Sequence, residues 1–98
     1  MSKLNGEFPK YLLEKILEEF PNESTANYIK ELAQKHSVES LDDMLKFLCN
    51  CQAYWMSWSK AGKLLREGNI DKVLEATKRA ERIDLLRQQV SQYLLNSL

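Results

Sequence analysis

The sequence predicts an all-α protein: a long antiparallel helical hairpin (about 41–67 and 70–97) with two shorter helices (about 9–20 and 24–36) packed on it, in the manner of a four-helix bundle. Three observations predict it. Apolar residues recur at three- and four-residue spacing along most of the chain. Only three Gly and two Pro occur in 98 residues, too few for a turn-rich β sandwich or a disordered chain. No segment reads as a strand and no internal repeat is evident. The length fits one helical domain, 1–98, with 1–7 expected as a flexible arm.

Pro9 suits the first turn of helix one, where its missing N–H costs nothing. Phe8, Leu12, Leu13, Ile16, Leu17 and Phe20 then form one apolar stripe, and Pro21 ends it. Asn22-Glu23-Ser24-Thr25 offers N-caps for helix two, whose apolar side is Ala26, Ile29, Leu32 and Ala33, with a stop near His36. Ser40 and Asp43 resemble a capping box opening helix three. From there Leu41, Met44, Leu48, Cys51, Trp55, Trp58, Gly62 and Leu65 keep heptad spacing. Gly68-Asn69 is a helix stop. Helix four follows with Val73, Ala76, Ala80, Ile83, Val90 and Leu94 as its seam, interrupted by Arg87. A break this short forces helices three and four antiparallel.

Fourteen Lys and Arg balance fourteen Asp and Glu, so net charge exerts no overall pull toward nucleic acid or an anionic membrane. The balance hides a split, with −3 over residues 1–59 and +3 over 60–98. Pairs such as Glu75–Arg79 and Asp84–Arg87 can neutralise part of the basic half along the helix. Lys78, Arg79 and Arg82 are the residues placed to meet an anion or an acidic partner.

Charge is absent altogether from two segments. Residues 47–59, FLCNCQAYWMSWS, exceed three helical turns without one charged side chain. At 100° per residue, Phe47, Leu48, Cys51, Tyr54, Trp55 and Trp58 form the main core face, with Leu45, Cys49, Ala53 and Met56 in a narrower strip opposite. Two Trp and a Tyr within five residues is also a composition favoured at interface hot spots. Residues 88–98, QQVSQYLLNSL, are likewise uncharged, and Leu94, Leu95 and Leu98 cannot all face one core. Tyr54, Met56, Trp58, Tyr93, Leu94, Leu95 and Leu98 are therefore the expected partner-binding residues, with a homodimer among the expected assemblies.

No catalytic or cofactor-binding arrangement emerges. His36 is the sole histidine, has no local nucleophile or carboxylate partner, and stands where a helix C-terminus favours it. There is no phosphate-binding glycine loop, and neither HExxH nor the Glu-x-x-His pairs of di-iron bundles. Cys49 and Cys51 are two apart, too divergent on a helix to bridge, and zinc would need more ligands. The first 20 residues carry Glu7, Glu14, Glu18 and Glu19, against a signal peptide, and no apolar stretch reaches the ~20 residues of a membrane span. These features predict a cytoplasmic, non-enzymatic interaction protein of adaptor, inhibitor, chaperone or immunity type, without metal, cofactor or membrane partner.

One local resemblance supplies the alternative of a nucleic-acid-binding regulator. Ile29-Lys30-Glu31-Leu32-Ala33-Gln34-Lys35-His36-Ser37-Val38 resembles the first helix and turn of a helix-turn-helix, with Ala33 at the tight packing point. The likeness covers ten residues. Ser37 replaces the usual turn glycine, and the would-be recognition helix opens Glu39-Ser40-Leu41-Asp42-Asp43, presenting carboxylates to phosphates.

Overall fold

The computed structural model describes residues 3–59 and 66–98, and among them it is built from four helices. They are α1 (Lys10–Glu19), α2 (Glu23–Lys35), α3 (Val38–Ser59) and α4 (Ile70–Ser97). No strand occurs among the described residues beyond an isolated bridge between Lys3 and Ser37. The closest packing is between α3 and α4, with the two shorter helices laid on that pair, as the apolar spacing predicts. The anticipated continuation of helix three over 60–65, with Gly62 and Leu65 of its seam, lies outside the described residues.

The helix ends follow their local chemistry. Pro9 stands at the N-cap of α1 without a side-chain cap, and Phe20 before Pro21 closes the helix. Asn22 caps α2, its Oδ1 accepting from the Thr25 N–H at 3.1 Å. α2 ends on His36, which takes a left-handed conformation at φ 46°. Gly68 takes φ 74° before α4, as a helix stop at Gly68-Asn69 requires.

Two expectations need correction. α3 opens three residues before Leu41, because the capping box is formed by Ser37 and Ser40 rather than by Ser40 and Asp43. The Ser40 N–H donates to Ser37 Oγ at 3.0 Å and the Ser37 N–H donates to Ser40 Oγ at 2.9 Å, so each serine satisfies the other's free donor. The segment 1–7 is also no free arm from Lys3 onward. The Leu4 N–H donates to the His36 carbonyl at 2.8 Å, and the Leu4 side chain is buried in the core. A single apolar residue tied by a backbone bond suffices to dock it.

The core combines Phe8, Leu12, Ile16 and Phe20 with Ile29, Leu32, Leu41, Met44 and Leu48, closed by Ile83, Leu86 and Val90. α1 runs antiparallel to α4. At one end Phe8 meets Tyr93 edge-to-face at 5.5 Å, and at the other Arg79 reaches Glu19. Phe47 sits between Phe20 and Tyr28, with ring centroids 5.2 and 5.8 Å away, and closes the top of this four-helix body. Among the described residues, α3 and α4 alone continue beyond it. Residues 70–78 alone carry α4 about 13 Å past the last turn of α1, giving a body of 50 × 25 × 20 Å.

Candidate functional site

The uncovered part of the hairpin holds the aromatic residues of helix three. Leu48 is buried and Cys51 and Trp55 are half-buried, but Tyr54 and Trp58 are 55% and 43% exposed. The expected core face thus runs out along α3, with a physical cause: α1 and α2 are too short to reach this level. Tyr54 packs edge-to-face on Trp55 at 5.2 Å and is inclined 65° to Trp58 at 6.3 Å. Ile70 and Leu74 of α4 are exposed as well, but helical spacing sets them on the side of α4 away from Lys72, Glu75 and Ala76. Tyr54, Trp55 and Trp58 line an open cleft of about 410 Å³ with Lys72, Glu75 and Ala76. Exposed apolar residues scattered singly, such as Tyr11 and Leu85, are ordinary; Tyr54 and Trp58 differ in being exposed together.

The narrow strip opposite is only partly covered. Leu45 packs against the core and Met56 is half-buried, whereas Cys49 and Ala53 are exposed. Burial pushes the Cys51 thiol above its ordinary pKa, with the Arg79 guanidinium opposing it weakly. Both cysteines are free thiols.

The C-terminal residues divide in two. Tyr93 and Leu94 belong to the body: Leu94 packs on the core, and the Tyr93 hydroxyl lies 2.6 Å from His36 Nε2. Leu95 and Leu98 are 62% and 77% exposed and lie outside the core. This is the divergence that adjacent helical positions impose.

The basic residues of α4 divide as well. Arg79 Nη2 donates to the Glu19 carbonyl at 2.6 Å, and its guanidinium lies 4.6 Å from the centre of the Trp55 ring. Arg82 Nε bonds a Glu19 carboxylate oxygen at 2.8 Å. Both are engaged with α1, so of the three residues placed for an external anion only Lys78 has no partner among the described residues. Arg79 also turns to Glu19 rather than to Glu75, four residues before it. The Asp84–Arg87 pair forms at 2.7 Å, and the hydrogen bond from Arg87 holds the Asp84 carboxyl below its usual range, with Gln52 and Gln88 assisting. Arg87, which interrupts the helix-four seam, is thereby accommodated half-buried.

His36 is 2% exposed, a buried cap rather than a surface residue at a helix end, and its Nδ1 has no protein partner. Among the described residues no three His, Cys, Asp or Glu side chains gather as a metal site would require, and no helix is long and apolar enough to cross a membrane. Compared with known proteins, the chain matches no family model, no curated protein and no solved structure.

Proposed function

We propose that this chain works by binding another protein through the aromatic end of the α3–α4 hairpin, and not by catalysis. The observation that carries this reading is the joint exposure of Tyr54 and Trp58 beside an open cleft, on helices that the short helices leave uncovered. Tyr and Trp are the residues that most often dominate binding energy, because each offers a large rigid surface with few rotamers to freeze. Lys72 and Glu75 give it a polar rim. Met56, half-buried on the neighbouring face, adds an adaptable side chain.

Self-association belongs to the other end in this reading, through Leu95 and Leu98 of two chains. The cytoplasm, where Cys49 and Cys51 stay reduced, is the compartment that suits it. Nucleic-acid binding is the lesser reading, since Arg79 and Arg82 are already engaged with Glu19. Affinity capture from the source organism, comparing wild type with a Tyr54→Ser/Trp58→Ser variant, tests the main proposal. It predicts partners that the wild type retains and the variant loses while still folding. Light scattering of Leu95→Glu/Leu98→Glu against wild type tests the self-association. A wild type that is already monomeric contradicts it.

A further inference from the structure

A second cleft, of about 440 Å³, lies where the N-terminal segment, α1 and α2 meet, at the end of the body away from the aromatic surface. Its volume falls in the range of small-molecule sites. Lys3, Lys10 and Lys30 converge on it from three separate elements, against a single carboxylate, Glu7. None of these four side chains makes an ion pair among the described residues. Three cations around one concavity raise its potential for an anion.

The backbone adds the same sign. α1 opens at this cleft with Lys10 as its first residue, and its N-terminus has no side-chain cap and no acidic residue in the first turn. Its free N–H groups and positive dipole end are therefore uncompensated. His36 supplies an independent observation. It lines the same cleft, is 2% exposed, and leaves Nδ1 without a protein partner although buried polar atoms are ordinarily hydrogen-bonded. The Tyr93 hydroxyl beside Nε2 also donates to the carbonyl of Glu7, another residue of the lining, at 3.4 Å. Phe8 gives the cleft an apolar wall.

We propose that this cleft binds a phosphate-bearing small molecule, its phosphoryl group held by Lys3, Lys10, Lys30 and the α1 N-terminus. A phosphate group carries close to two negative charges and several strong acceptors, which matches three ammonium donors and a set of free amides. None of the charged residues singled out in the sequence for anion contact takes part, because those on α4 face elsewhere.

The test is an amide NMR titration of the isotope-labelled full chain with inorganic phosphate, ionic strength held constant with chloride. The proposal expects saturable shifts at Lys10, Tyr11 and Leu12 and in the His36 ring, with acetate binding more weakly. Lys10→Gln/Lys30→Gln is expected to weaken phosphate about tenfold or more. Both lysines are exposed, so the helical circular dichroism of the variant should match wild type. Shifts that do not saturate, equal binding of acetate, equal binding by the variant, or binding of duplex DNA without binding of free phosphate would each overturn the proposal.

Discussion

The Arg79 guanidinium donates a 2.6 Å hydrogen bond to the backbone carbonyl of Glu19, the last residue of α1. The last turn of a helix leaves carbonyls without partners, and no basic residue of α1 itself stands there to satisfy them. Arg79 does so from the opposite helix, while its planar face covers Trp55. Arg79→Met should therefore cost about 2 kcal/mol in urea unfolding, from a charge-assisted hydrogen bond and part of a cation–π contact. Arg79→Lys should recover only part of this, because an ammonium lacks the flat fork. Unchanged unfolding of both variants would refute the assignment.

Tyr93→Phe removes the hydroxyl that lies 2.6 Å from His36 Nε2 but keeps the ring against Phe8. The expected loss is about 1–2 kcal/mol, since a buried imidazole is left with neither nitrogen paired. Thermal unfolding of this variant beside Phe8→Leu separates the hydrogen bond from the ring packing.

Asp84 has a depressed pKa in the folded chain, caused first by the hydrogen bond from Arg87. A carboxyl depressed on folding contributes stability above its unfolded pKa, and that contribution is lost as pH falls through the folded value. Stability of the wild type should drop on acidification below the ordinary carboxylate range, and Asp84→Asn should flatten that part of the curve. An Asn variant with an identical acid profile would remove Asp84 from the account.

The two cysteines should differ in reactivity. Cys49 is exposed, whereas Cys51 is half-buried with its thiol pushed up by burial, so less of it is thiolate at any given pH. Brief alkylation of the native protein, read by peptide mass spectrometry, should label Cys49 first. Equal labelling would contradict the placement of α3.

Much of this arrangement can be read from residue spacing. The stripe Leu12–Ile16 and the seam Ala80–Ile83–Val90 point inward as their periodicity requires. What spacing does not convey is where a neighbouring helix ends. Tyr54 and Trp58 continue the heptad seam of α3, yet α1 stops at Glu19, so the same periodicity yields core at Leu48 and surface at Trp58. Arg79 shows the complementary gap: its partner is a backbone carbonyl sixty residues away, and no side-chain pattern announces a carbonyl. Leu4 docks through one buried side chain, too little to register as a periodic signal. The phosphate cleft was equally hidden, because its lysines come from three elements that only folding brings together.

The exposed state of Trp58 also sets the scale of its removal. A fully buried Trp costs about 3–5 kcal/mol on truncation; at 43% exposure Trp58→Ala should cost about 2 kcal/mol. A loss of the larger size would place the ring in the core.

The most direct test of the interaction surface is quantitative partner capture by three forms of the chain: wild type, Tyr54→Ser/Trp58→Ser, and Leu95→Glu/Leu98→Glu. Each form is first shown to unfold cooperatively. The predicted result is a partner held by the wild type and by the C-terminal variant and lost from the aromatic variant. A partner retained equally by all three forms would contradict the assignment of the hairpin end as the binding surface.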